Sequence, residues 1–310
     1  MTTAGNYDSL RKPAVATIGM FDGVHLGHQA VIASLRAEAE RKSLVPMVVT
    51  FSRHPRQVLH PDADVQLLMT PADKVAALEA AGADVVVMLD FDKALAAMTA
   101  REFIGFLHTR YNVRSLIVGY DHRFGHNRSE GFDDYVAYGA ELGMEVIQTP
   151  EVPSELGHIS SSVIRRLLLG GDVETANGML SRRYSLTGTV VEGMHNGRRI
   201  GFPTANVDME NSTVLVPGNG VYAVSVTTPD GVRRRGMLNI GNRPTIGEGL
   251  QRTVEVNIFD FTGDLYGKRL RLELVALVRR ERKMSGLAEL QRQLLCDKEE
   301  IETILKQHNL

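Results

Sequence analysis

No tryptophan occurs in the 310 residues, and cysteine occurs once, at Cys296. A lone cysteine excludes an internal disulfide, and no Cys/His cluster has the spacing of zinc ligands. No apolar run reaches membrane-spanning length, and Met1 to Arg11 is polar, without the apolar core of a signal peptide. Nor is there an excess of one charge. The 35 Lys and Arg against 37 Asp and Glu leave a net charge of −2, so nothing pulls the chain as a whole toward nucleic acid or anionic lipid. The basic runs Arg233–Arg235 and Arg279–Lys283 lack the interleaved aromatics of a nucleic-acid platform and read as solvated surface. These absences leave a soluble cytoplasmic protein with neither nucleic acid nor membrane as an expected partner. They say nothing of oligomeric state.

What is present is ordinary globular material, 43% hydrophobic and 23% charged, in a chain long enough for two domains. The first half alternates short apolar runs with helical periodicity. Strands are predicted at Ala14–Met20, Val45–Phe51, Val85–Leu89, Ser115–Val118 and Met144–Gln148. Helices are predicted at His25–Lys42, Pro71–Ala81 (Thr70 as N-cap), Ala100–Tyr111 and Phe132–Leu142. Strands separated by helices mean an α/β, doubly wound parallel sheet. Two more helices, Ser160–Leu169 and Val173–Leu180, follow. Beyond Arg183 the texture changes to strands without helices: Tyr184–Val191, Gly220–Thr227, Arg234–Asn239, Thr253–Phe259 and Arg269–Val278. Pro229-Asp230-Gly231 marks a tight turn, and the pattern suggests a small antiparallel barrel closed by a helix from about Leu287. The expected domains are residues 1–182 and 183–310.

Gly19-Met20-Phe21-Asp22-Gly23-Val24-His25-Leu26-Gly27-His28 lies where the first strand becomes the first helix. That junction is the phosphate-binding position of a doubly wound fold, because free N–H groups and the helix dipole converge there. His25 and His28 are three apart and fall on one side of the first turn, where imidazoles can donate to a nucleoside triphosphate. Gly27 removes a side chain between them and lets a flat base approach. Ser160-Ser161-Ser162, at a later helix start, reads either as an N-cap or as an anion site that Arg165 would complete.

In the second half, Gly197-Arg198-Arg199-Ile200-Gly201-Phe202-Pro203-Thr204-Ala205-Asn206 reads as a strand connection or as a phosphate cradle. Thr204 and Asn206 would then offer neutral oxygens to Mg²⁺. In Thr253–Asp260, Glu255 and Asn257 take the face opposite Val254, Val256 and Ile258. Glu255 is either an exposed strand glutamate or a base for a substrate hydroxyl. The pair Gly267-Lys268 is followed by Arg269, so no Walker-type loop is present.

His25-Leu26-Gly27-His28 resembles the nucleotidyltransferase signature, and the longer Gly19–His28 segment resembles the bacterial bifunctional riboflavin kinase/FAD synthetase family. Thr50-Phe51-x-x-x-Pro55-Arg56, Gly119-Tyr120-Asp121-His122-Arg123-Phe124-Gly125 and Ile159–Arg165 are similar to that family too. So are Gly201–Asn206, Gly220–Ala223, Asn239–Thr245, Glu255, Asp264–Lys268 and Arg279–Lys283.

The resemblance implies an N-terminal FMN adenylyltransferase domain and a C-terminal six-stranded barrel that is a riboflavin kinase. It implies ATP binding at Gly19, Phe21, Asp22, Gly23, Gly27, Asp121, Ser160, Ser161 and Ser162, with His25, His28 and Arg165 acting on the phosphates. For Asp121, both the adenine and the flavin side stay open. Phe51, Pro55, Arg56, His122 and Arg123 would meet flavin in that domain. In the barrel, Gly197, Gly201, Pro203, Thr204 and Asn206 would hold Mg-ATP, Glu255 would be the base, and Asn239, Arg280 and Arg282 would meet flavin. The chain departs from the family at four positions: His122 stands where an aromatic residue is common, Ser162 for threonine, Asn257 for a frequent histidine and Met284 for phenylalanine.

Overall fold

Five parallel strands form the centre of the first of two units, Met1–Ser161 and Ser162–Leu310, into which the chain divides. The computed structural model describes residues 12–60, 62, 65–126, 129–150, 155–193, 197, 200–209, 213–244 and 250–310. Three sequence features fall outside them: the N-terminal segment Met1–Arg11, the pair Arg198 and Arg199, and Thr245.

In chain order the first unit runs β1 (Ala14–Ile18), α1 (Leu26–Lys42), β2 (Val45–Phe51), α2 (Pro55–Leu59), α3 (Pro71–Ala81) and β3 (Val85–Leu89). It continues with α4 (Lys93–Ala97), α5 (Ala100–Tyr111), β4 (Val113–Val118), α6 (Phe132–Glu141) and β5 (Glu145–Gln148). The strand order is β3-β2-β1-β4-β5, all parallel. Alternation along the strands builds a core on each face. Ala14, Ala16 and Ile18 pack with Phe103, Ile104 and Leu107 of α5, whereas Val15, Val48 and Val86 pack with Ile32 and Leu35 of α1 and Leu78 of α3. Helices thus cover both faces, and the chain reverses its winding between β1 and β4. In such sheets ligands bind at that switch point, beyond the carboxyl ends of the strands.

Local chemistry explains most boundaries. Thr70 caps α3 by accepting from the Asp73 amide, Pro71 begins it, and Gly82 ends it with φ +113°. Thr99 and Glu102 form a capping box at α5. The first helix starts one residue later than the sequence predicts: His25 has extended backbone and is the N-cap of α1. Helices α2 and α4 were not expected. Each is only five residues long, too short to show a period, and is fixed by a cap at His54 or Asp92.

Thr17 lies on the α1/α3 face of β1, opposite Val48 and Ile117. It is fully buried, and among the described residues its hydroxyl has no partner. Thr17→Val keeps the shape and removes the orphaned group, so it is expected to stabilise the protein by about 1 kcal/mol. A lower urea midpoint for the variant would contradict this.

The second unit contains most of α7 (Ser161–Gly170) and α8 (Val173–Leu180), then β6 (Ser185–Val191), β7 (Ala205–Asp208) and β8 (Gly220–Thr227). After these come β9 (Arg233–Pro244), β10 (Leu250–Ile258), β11 (Arg269–Arg279) and α9 (Leu287–Gln307). Helix α7 begins and ends one residue beyond the expected Ser160–Leu169. The six strands close into an antiparallel barrel in the order β10-β7-β6-β11-β8-β9. Strand β7 is the chief departure from the sequence reading, which leaves Gly197–Asn206 as a strand connection or a phosphate cradle and puts no strand there. Four residues after a Gly/Pro-rich run carry no strand pattern of their own. Pairing with β6 on one side and β10 on the other makes them a strand. Helix α9 lays Ile301 and Leu305 against Phe202, Val221, Ala223, Met237, Phe259 and Val275.

Candidate active sites

The loops that follow β1, β2 and β4 leave neighbouring strand ends of the first sheet. Gly19, after β1, donates its amide to Val49 of β2 at 3.1 Å. The turn it opens is strained: Phe21 has φ +49° and Val24 φ +38°, a region costly for any residue with a Cβ and most so for a β-branched one. Gly23 meets the same demand, φ +86°, without that cost. The turn delivers His25 to the start of α1, where its Nδ1 accepts from the His28 amide at 3.4 Å. The two imidazoles stack with centroids 3.6 Å apart, and the Phe21 ring meets His28 edge-on at 5.1 Å.

A Cβ on Gly27 would press to 3.3 Å from the His25 ring, so the glycine makes room for that imidazole. Asp22, named by sequence as an ATP contact, is buried, and both its carboxylate oxygens accept from the Leu68 amide, at 2.9 and 3.1 Å. The Ser161 hydroxyl donates to the Asp22 carbonyl at 2.8 Å, tying the start of α7 to this turn. Ser160 precedes α7, while Ser162 and Arg165 lie on it and fall in the second unit.

Of the remaining candidates in this unit, Phe51 is buried and packs edge-on to Phe91 at 5.4 Å, so its ring belongs to the core. Pro55 and Arg56 sit on α2 rather than on a loop, with the Arg56 side chain exposed. After β4, the His122 amide closes a turn onto the Gly119 carbonyl at 3.1 Å. Asp121 and Arg123 are exposed there and His122 half-buried.

Lys74 of α3 went unnoticed in the sequence. It is 4% exposed, and its ammonium donates to the Met20 carbonyl at 3.2 Å and the Phe51 carbonyl at 2.7 Å. Burial pushes its pKa down to about 8, with the charge of Asp22 acting in the opposite sense. The available signal was its place: Lys74 shares the apolar stripe of α3 with Leu78, where a solvated lysine does not belong.

In the barrel, register does what sequence spacing cannot. Glu255 of β10 stands directly opposite Asn206 of β7 on one side and Asn239 of β9 on the other. Opposed residues project to the same face, so three candidates from distant parts of the sequence form one row. Asn257, on the same face of β10, is buried and donates to the Pro203 carbonyl at 2.6 Å, immediately before Thr204. The Phe202 amide turns back onto the Gly197 carbonyl at 2.9 Å. A Cβ on Gly197 would collide with the Phe202 carbonyl and stand 3.3 Å from the Thr204 hydroxyl, and one on Gly193 would collide with the Asn206 amide group. Glycine is required at Gly197, where the obstacle is backbone, whereas a side chain in place of Gly193 would displace the Asn206 amide group. Gly201, by contrast, has open space around it and φ +82°.

The basic run after β11 is anchored rather than free. Arg279 forks onto Asp297, Arg280 donates to the Gly170 carbonyl at 3.2 Å, and Arg282 donates to Gln293 at 2.6 Å.

A switch-point site with imidazoles at a helix start suits nucleotidyl transfer. A carboxylate between two amides, beside a glycine-lined turn, suits phosphoryl transfer to a hydroxyl. The class is therefore that of two-unit nucleotide-dependent transferases.

Comparison with known proteins narrows it. The FAD synthetase family matches residues 8–163, and the riboflavin kinase family matches residues 180–305. The bifunctional riboflavin kinase/FMN adenylyltransferase of Bacillus subtilis (strain 168) is 38% identical over 293 residues, covering 93% of this chain and 91% of that protein. Its counterpart in Escherichia coli (strain K12) is 35% identical over 284 residues, covering 91% and 90%. A crystal structure of a macrolide-efflux protein from Streptococcus pneumoniae superposes with a TM-score of 0.86 at 32% identity, over 93% of each chain. The chain belongs to the bifunctional riboflavin kinase/FAD synthetase family: it phosphorylates riboflavin to FMN and adenylylates FMN to FAD, with ATP as the donor in both steps.

Proposed function

We propose that each group of residues described above carries the reaction of its own family match, with the functional boundary after residue 182. The single observation that supports this most is the cross-strand row of Asn206, Glu255 and Asn239. In the barrel, Glu255 accepts the proton of the terminal ribityl hydroxyl as that oxygen bonds to the γ-phosphorus of ATP. The bond to the bridging oxygen breaks, and ADP leaves. Gly197, Gly201 and Pro203 shape the turn beside the nucleotide, and Asn239, Arg280 and Arg282 lie toward the flavin.

Thr204 and Asn206 fit Mg²⁺ by the chemistry of their donors, since a magnesium ion on ATP takes few protein oxygens beside phosphate and water. When bound, it neutralises charge on the transferring phosphates.

In the first unit, a phosphate oxygen of FMN bonds to the α-phosphorus of a second ATP, and pyrophosphate departs. No protein nucleophile is needed, because the attacking phosphate is already ionised. His25 and His28 donate hydrogen bonds to the phosphates as charge builds. Gly19, Phe21 and Gly23 form the turn before them, Gly27 stands between them in the first turn of α1, and Asp22 holds the preceding turn through Leu68. Ser160, Ser161, Ser162 and Arg165 keep the phosphate-binding roles that the family implies. Asp121 is a candidate for the adenine or the flavin side, and Pro55, Arg56, His122 and Arg123 are candidates for the flavin, whereas the Phe51 ring packs in the core.

Both reactions suit a cytoplasmic enzyme of small-molecule substrates, since both consume ATP. Among the described residues no helix is long and apolar enough to cross a membrane. Arg233 pairs with Glu273 and Arg234 with Asp230, which occupies the basic hairpin locally.

Asn206→Ala tests the metal assignment. The Mg²⁺ concentration that half-saturates riboflavin phosphorylation should rise by about tenfold or more, at least the cost of losing an outer-shell partner of a metal, while that of FMN adenylylation stays put. An unchanged Mg²⁺ requirement for the kinase step would remove Asn206 from the site.

A further inference from the structure

A buried ammonium among apolar residues is costly to keep, and the first unit keeps one beside its strand ends. Lys74 is 4% exposed on the inner stripe of α3, with Leu78 as its buried neighbour one turn on. Its two acceptors are not chosen at random. The Met20 carbonyl lies in the turn that leaves β1, and the Phe51 carbonyl closes β2. The Met20 carbonyl accepts a second bond, from the Thr50 hydroxyl of β2 at 3.1 Å. Two side chains on different elements therefore fix the one peptide that precedes Phe21.

Phe21 is the first of the left-handed residues in the strained turn, and its ring meets His28 at 5.1 Å, which in turn stacks on His25 at 3.6 Å. Left-handed backbone at Phe21 and Val24 persists only where the surroundings over-determine it. Asp22, the next residue, is fastened separately to the Leu68 amide. The tethers on Met20 and Asp22 bracket Phe21.

We infer that Lys74 is a positioning residue for FAD formation: by holding the Met20 carbonyl to the end of β2, it sets the Phe21 turn and through it the seat of His28. This rests on the reading that His28 serves adenylylation. In that role the lysine acts through the turn rather than on a substrate. Burial pushes the ammonium's pKa down to about 8, against the charge of Asp22, so two backbone carbonyls are what hold it there.

The test uses the full-length enzyme, with riboflavin phosphorylation by the same chain as the internal measure of folding. In Lys74→Met, kcat for FMN-to-FAD conversion is expected to fall on the order of a hundredfold, as for a reacting group displaced by about an ångström. KM for ATP and the kinase rate should stay near wild type. Thr50→Val, which removes the second tether with almost no change of shape, should lower the same kcat in the same direction by a smaller factor. A wild-type kcat in Lys74→Met overturns the inference. So does a rise in KM alone, or a parallel fall of both activities with a lowered melting temperature. Should Lys74→Met fail to fold, Thr50→Val decides, and a wild-type kcat there overturns it. His28→Ala run beside them separates the two levels. If His28→Ala still makes FAD, the parent assignment has failed. If it does not, and Lys74→Met does so at full rate, only the positioning role has failed.

Discussion

His28→Ala leaves the enzyme making FMN from riboflavin and removes FAD formation, with a fall in turnover on the order of 10²–10³-fold, the usual cost of losing one donor to a developing charge. The ring it deletes sits in the first turn of α1, stacked 3.6 Å from His25 and edge-on to Phe21. The N-cap bond runs from the His28 backbone amide to His25, so alanine keeps it and α1 should still start at the same residue. The loss is therefore one of chemistry rather than of fold. Riboflavin phosphorylation in the same tube supplies the control, because the barrel closes on its own six strands. Retention of full FAD synthesis, or loss of both products in a folded chain, would contradict the assignment.

The reciprocal variant is Glu255→Gln. Its riboflavin phosphorylation is expected to drop on the order of 10²–10⁴-fold, the range for removal of a general base. Its conversion of supplied FMN to FAD should be unaffected. Glutamine has nearly the shape of glutamate and continues to face Asn206 and Asn239 across β7 and β9, so the ladder is undisturbed. What disappears is the capacity to take the proton of the attacking hydroxyl. A residual rate close to wild type would mean that positioning alone carries the phosphoryl transfer. Glu255 would then be an ordinary strand glutamate.

Much of this architecture is legible in the sequence. Helix α3 was readable residue for residue because Thr70, Pro71 and Gly82 punctuate it. β2, β3, α5 and α8 fall where their apolar patterns put them. β7 was not legible: nothing in Ala205–Asp208 announces a strand, and only the partners on both sides make it one. β9 reaches from Arg233 to Pro244, further than the strand predicted at Arg234–Asn239, because β10 extends the pairing.

The sites divide in the same way. The histidine pair could be read from spacing, since three residues apart at a helix start is a local relation. The row of Asn206, Glu255 and Asn239 could not, because it depends on the register of three strands. Lys74 escaped because lysine on a helix ordinarily means solvent; its partners are carbonyls that side-chain patterns do not encode. Asn257 is legible as sharing the face of Glu255 and as a departure from relatives, but its bond to the Pro203 carbonyl, which gives it a structural task next to Thr204, is not.

Mixing the two variants is the most direct test of a two-site enzyme. His28→Ala and Glu255→Gln, each unable to carry riboflavin through to FAD, are combined with riboflavin, ATP and Mg²⁺, and the flavins are separated by chromatography over time. The account predicts that FMN made by the first variant is taken up by the second and that FAD accumulates. If the mixture yields no FAD while the wild-type enzyme does, the two reactions are not carried by these separate groups, and the assignment of His28 and Glu255 to independent sites is wrong.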